Sequence, residues 1–125
     1  MENFPFKNET YIILGICMEV HRILGHGFSE IVYKDAIELE CDLKEIEVER
    51  EKEFSIEYKG KLLKHKFFAD FIAFDNVIVE IKSTEKGFTD EHISQSLNYL
   101  KVSGCNVGLL INFGKKSLEY KRLIF

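Results

Sequence analysis

The order of hydrophobic periodicities along the chain predicts an α/β fold, a mixed central sheet flanked by helices. Two helical patterns fill the first 44 residues, and three period-two segments then run to Lys82. A third helical pattern and another apolar strand follow. Two helices, three antiparallel strands, a helix and a strand imply a mixed sheet covered by helices.

From Asn8 to Leu24, Ile13, Ile16, Cys17, Val20, Ile23 and Leu24 recur at helical spacing, and Gly25-His26-Gly27 supplies a stop. Ser29 is placed to cap a second helix ending near Lys44. Val32, Ala36, Leu39 and Leu43 form one stripe of it, and Glu30, Tyr33 and Ile37 form another, so Glu30 shares a face with inward-pointing residues. After Glu45, Val48, Phe54, Ile56 and Tyr58 alternate with charged residues, and Lys59-Gly60 reads as a hairpin turn. Leu62 to Phe74 continues as a long strand, Asp75-Asn76 turns, and Val77 to Lys82 is a strand apolar on both faces, the mark of a central position. Thr89 caps a third helix, with Asp90 and Glu91 at its positive end and Ile93, Leu97 and Leu100 as its stripe up to Gly104. Asn106 to Phe113 is a buried strand and Leu118 to Phe125 an edge strand.

At 125 residues the sequence is expected to form a single domain, residues 1–125, in which any chemistry and any partner surface share one fold. A net charge of −4 argues against coating nucleic acid by bulk electrostatics, although local basic patches remain. Cys17, Cys41 and Cys105 are odd in number and widely spaced, which suits buried free thiols in a reducing compartment. The start, MENFPFKNET, lacks a basic segment followed by a long apolar one, and no apolar run approaches the ~20 residues of a membrane span. The expectation is a cytoplasmic protein with no membrane partner.

Two carboxylates are out of place in a purely structural reading. Asp70 is the only charged residue in the apolar strand FFADFIAF, and Glu80 interrupts VIVEIK. A buried carboxylate is costly unless paired, hydrogen-bonded or bound to a metal. Strand alternation puts Glu80 and Lys82 on one face, roughly 6 to 7 Å apart. The turn at Asp75-Asn76 brings Asp70 nearly opposite Glu80. One lysine balances one carboxylate; a second carboxylate calls for a cation, and oxygen ligands favour Mg²⁺ or Mn²⁺ over zinc. By spacing alone, a buried salt-bridge cluster with no activity explains these residues equally well.

Asp70 followed by Glu80-x-Lys82 resembles the D…(D/E)xK signature of the PD-(D/E)xK nuclease superfamily, whose fold is the restriction-endonuclease-like sheet. Gly27-Phe28-Ser29-Glu30-Ile31-Val32-Tyr33 reads as GxxExxY, the name of a family within it. The resemblance runs from Glu19-Val20-His21 through both motifs to His92-x-x-Gln95-x-x-x-Tyr99 and Leu110-Ile111-Asn112-Phe113. It implies a Mg²⁺- or Mn²⁺-dependent nuclease acting on DNA foremost, or on RNA. Asp70 and Glu80 would ligate the metal, with Glu30 and the Ile81 carbonyl as further ligands. Lys82 would orient the attacking water, and Gln95, Tyr99 and His92 would support the site. The superfamily name has Pro where Ala69 precedes Asp70.

Strand parity also places Lys64 and Lys66 on the face of Asp70 if no bulge intervenes, where they could hold a phosphate backbone; lysines on an edge could equally serve only to block strand pairing. Glu19 and His21 lie off the apolar stripe of the first helix, which suggests exposure. One small domain offers little surface for a long duplex, so a homodimer is a further expectation. The alternative to an enzyme is an idle nuclease fold that binds nucleic acid or protein. In that case Lys82 is expected to pair tightly with Glu80.

Overall fold

The computed structural model describes residues 4–125; Met1–Asn3, the first residues of the segment read above for a leader, lie outside them. Helices α1 (Lys7–Leu24) and α2 (Glu30–Leu43) precede strands β1 (Val48–Tyr58), β2 (Lys61–Ala73) and β3 (Val77–Lys82). Helix α3 (Asp90–Ser103) and strands β4 (Val107–Asn112) and β5 (Glu119–Ile124) complete the chain. The strands form one sheet in the order β1-β2-β3-β4-β5. All neighbours are antiparallel except β3 and β4, for which α3 is the crossover that a parallel pair requires. The expected mixed α/β sheet is present.

The sheet separates two apolar cores. On one face α1 and α2 bury Ile13, Cys17, Val20, Tyr33 and Ile37 against Phe71, Val79, Ile81 and Ile111. On the other, Leu100 of α3 packs on Ile72, Ile78 and Leu110. Strands β3 and β4 are covered on both faces, which explains their unbroken apolar sequences. Among the described residues no helix is long and apolar enough to cross a membrane.

Three local expectations change. Leu39 and Leu43 are 58% and 69% exposed; the buried stripe of α2 is Tyr33, Ile37 and Cys41, because the helix is turned to stack Tyr33 on Phe113, with ring centroids 4.5 Å apart. His21 is buried, not exposed, with Nε2 2.8 Å from the carbonyl oxygen of Lys115. Ser29 occupies the N-cap of α2, yet its side chain makes no cap hydrogen bond. The loop before it is held by other groups: the Tyr33 hydroxyl donates to the Gly25 carbonyl and accepts from the Phe28 N–H, and Ser83 Oγ donates to the Phe28 carbonyl. Thus the glycine and tyrosine of the GxxExxY segment fix a loop, with Gly27 at φ 111°. Thr89 caps α3 as expected, in a reciprocal box with His92.

Two features of the sheet create the site. The β2–β3 ladder covers only Phe71–Ala73 against Val77–Val79. Beyond it β2 stays paired with β1 and β3 with β4, so β1 and β2 leave the sheet as a two-stranded ribbon. At the same level the faces invert. Val48, Phe71 and Ala73 pack toward α1 and α2, whereas Phe54 and Ala69 pack toward α3. The inversion falls at the Glu51/Asp70 step, the one position missing from the register between Val48 and Ser55, and Glu51 has φ 54°. A left-handed glutamate inside a strand is strained, and such strain persists only where the surroundings hold it.

Candidate active site

The register Phe71↔Val79, continued by one step, brings Asp70 opposite Glu80. The ladder does not continue there; instead Asp70 Oδ2 accepts the Ile81 N–H at 2.7 Å. Its Oδ1 accepts from Lys34 Nζ at 3.0 Å, and the same ammonium also bonds Glu51. Lys34 thus reaches from α2 to hold both the aspartate and the strained glutamate. Burial works against its charge, but the hydrogen bonds and charges of Glu51 and Asp70 outweigh that and raise its pKa above the ordinary lysine value. Sequence reading did not single out Lys34. Its only signal was its place four residues after Glu30, one turn along the same helical face.

Glu80 is 6% exposed, and its Oε1 has no hydrogen-bond partner. Burial pushes its carboxyl up to about 9; the charge of Asp70 and a hydrogen bond to it add to the rise, and Lys82 opposes it. Glu80 is therefore protonated at neutral pH beside an Asp70 that is already paired. Lys82 is half-buried and forms no ion pair among the described residues. The tight Glu80–Lys82 pair expected of an idle fold is absent. The far end of β3 is clamped to β4: Lys82 accepts the Phe113 N–H, and buried Asn112 bonds both the N–H and the carbonyl of Thr84.

A profile of the PD-(D/E)XK nuclease superfamily matches residues 7–123. The chain belongs to that superfamily. The solved structures that resemble it include one titled "Crystal structure of SSO0001", at 19% identity and TM-score 0.52, covering 92% of this chain and 77% of that one. This likeness concerns the fold, which is restriction-endonuclease-like. No curated protein matches the sequence.

PD-(D/E)XK nucleases generally use divalent metals. The unpartnered Glu80 oxygen beside a second carboxylate fits a cation, since a divalent ion would satisfy an acceptor that nothing else reaches. The fit is to a pair, however. Among the described residues no three His, Cys, Asp or Glu side chains gather around one point. Glu30, read as a further ligand, is exposed in the first turn of α2 and stands apart from Asp70 and Glu80, while Lys34 one turn later takes the aspartate.

The other expected groups are spread. Tyr99 stacks on Phe67 at 4.3 Å between centroids, and Phe67 on Phe54 at 5.1 Å. Burial, then the charges of Glu80 and Asp70, raise the Tyr99 pKa. Gln95, one turn before it, is exposed. His92 Nδ1 accepts the Thr89 N–H, so its ring serves the helix cap. Lys64 and Lys66 are exposed on the ribbon, and Lys66 pairs with Glu53 at 3.2 Å. The β1–β2 register shifts between Ser55 and Glu57, opposite Lys64, so the bulge that would spoil its parity is present.

The raised pKa of Glu80 has a stability consequence. The folded chain keeps this proton up to about pH 9 and the unfolded chain loses it near the ordinary 4.5, so this group's contribution falls as pH rises through that window. With chelator present, Glu80→Gln is expected to change stability little at pH 4 and to stabilise by a few kcal/mol at pH 8, at about 1.4 kcal/mol per unit of pKa. Urea unfolding at both pH values measures this. An equal effect at the two would show that Glu80 titrates as an ordinary carboxyl.

Proposed function

We propose that this chain is a GxxExxY-type nuclease that uses Mg²⁺ or Mn²⁺ to hydrolyse phosphodiester bonds in DNA or RNA. The observation that carries this reading is the buried, unpartnered Glu80 oxygen beside Asp70, with Lys82 on the same strand face and committed to no other carboxylate. Asp70 and Glu80 would hold the ion, with the Ile81 carbonyl as a third oxygen and Glu30 reaching it from α2 through water. When bound, the ion lowers the pKa of a water and offsets charge on the phosphate. Lys82 places that water in line and balances the charge that builds on the phosphate oxygens. Lys34 keeps Asp70 oriented, Gln95 contacts the substrate from α3, and Tyr99 and His92 set the position of that helix. Lys64 and Lys66 bind the phosphate backbone.

One observation favours a second reading, a catalytically idle binding module: Lys34 already gives Asp70 a cation. Cleavage of labelled single-stranded, double-stranded and branched DNA and of RNA, with Mg²⁺, with Mn²⁺ and with chelator, separates the two. Cleavage that requires the metal supports the enzyme; binding without cleavage on every substrate supports the idle module. Free, buried Cys17 and Cys41 suit a cytoplasmic setting, and light scattering tests the dimer.

A further inference from the structure

The tip of the β1/β2 ribbon is one of two basic stretches in an acidic chain, the other being Lys115 to Arg122. Between Ile56 and Lys66, Lys59, Lys61, Lys64 and Lys66 stand against Glu57 alone, in a chain whose net charge is −4. Lys61 and Lys64 have no ion-pair partner among the described residues. These lysines are interleaved with large apolar groups left open to solvent: Tyr58 is 60% exposed, Leu62 69% and Phe68 49%. Blocking edge pairing accounts for the lysines and not for the apolar groups between them.

Where the ribbon faces the C-terminal half of α3, a cleft of about 640 Å³ opens. Ile56, Leu62 and Val102 supply its apolar lining, and Asn98 and Lys101 supply an amide and a cation; Glu57 is its one acidic residue. Next along α3 from Asn98 is Tyr99, which stacks on Phe67 and through it on Phe54. Cleft and stack thus lie on the α3 side of the sheet, and strand alternation puts Glu80 on that same side, two residues after Ile78.

We propose that the ribbon and the outer half of α3 form a cradle for single-stranded nucleic acid, which delivers the strand to the Asp70–Glu80 pair. The proposal rests on the nuclease reading above and names its substrate class. Lysines take the phosphates, and the apolar cleft takes a base face, with Asn98 placed to meet its edge. In a duplex those faces are stacked and paired, so the apolar lining has nothing to contact. That argument favours a single strand over a double one.

The test is fluorescence anisotropy with a labelled 12-nucleotide single strand, as DNA and as RNA, and with a hairpin duplex of the same sequence, all in chelator so that nothing is cut. The full chain is expected to bind the single strand at least tenfold more tightly than the hairpin. The double variant Lys61→Glu/Lys64→Glu should weaken single-strand binding more than tenfold and flatten its dependence on salt by about 0.7 per lysine removed. Lys101→Glu, across the cleft on the helix, should weaken it several-fold and guards against a ribbon that has lost its shape. Unchanged binding in these variants, equal affinity for the hairpin, or no binding at all overturns the proposal. Hydrolysis of bis(4-nitrophenyl) phosphate by the unsubstituted chain tests the nuclease reading separately, because that diester is too small to need a cradle.

Discussion

Lys82→Ala is expected to lower metal-dependent cleavage at least a hundredfold while changing stability by less than about 1 kcal/mol. The asymmetry follows from its surroundings. Lys82 is half-buried at the end of β3 and pairs with no described carboxylate, so its removal leaves no partner stranded. Its ammonium does act on Glu80, whose raised pKa it opposes, and its loss makes the glutamate harder to ionise. Lys34 behaves in the opposite way. Lys34→Met strands Asp70 and Glu51, so it should cost stability as well as activity. Single-turnover cleavage and urea unfolding of the two variants make the comparison. A Lys82→Ala chain that cuts normally, beside a folded Lys34→Met chain that does not, would move the catalytic cation to α2.

Gly114→Ala should destabilise by about 3 kcal/mol or more, the range reached when a buried position is overpacked against atoms that cannot move aside. A Cβ at Gly114 would lie 2.3 Å from the Thr84 nitrogen, 2.4 Å from its carbonyl carbon and 2.5 Å from its oxygen. These are backbone atoms, fixed by the two Asn112 hydrogen bonds to Thr84. The only relief is to push the segment after Lys82 away from β4, which also disturbs Ser83 and its bond to the α1–α2 loop. Gly15→Ala is the contrast: nothing lies within 4 Å of its Cβ, and in a helix interior alanine is expected to stabilise by up to about 1 kcal/mol. Denaturant midpoints measure both. A loss below 1 kcal/mol at Gly114 would mean that the clamp is looser than its geometry.

What could be read from the sequence was whatever is encoded locally. Alternation in VIVEIK put Glu80 and Lys82 on one strand face, and a short turn fixed the Asp70–Glu80 register. The Thr89 cap was legible because the box closes within three residues. What could not be read depends on partners distant in sequence. Lys34 looks like any helical lysine until α2 is laid beside Asp70, 36 residues away, and His21 looks exposed until Lys115, 94 residues on, offers its carbonyl. The inversion at Glu51 left no trace, since glutamate is not a residue that advertises a positive φ. Leu39 and Leu43 misled because periodicity gives the spacing of a stripe but not which of two stripes faces in.

The link from Lys34 to Asp70 also bears on how the proposed ion would be taken up. In a site whose carboxylates all await an ion, folding and loading are one event, and withdrawing the ion unfolds the site. Here the aspartate is paired with the chain's own ammonium, so on the proposed reading the native state would form first and an ion would arrive as a ligand. Its affinity would then set occupancy rather than survival: the metal-free chain would persist when metal is scarce, and a change in free metal would switch the fraction of competent molecules without discarding any.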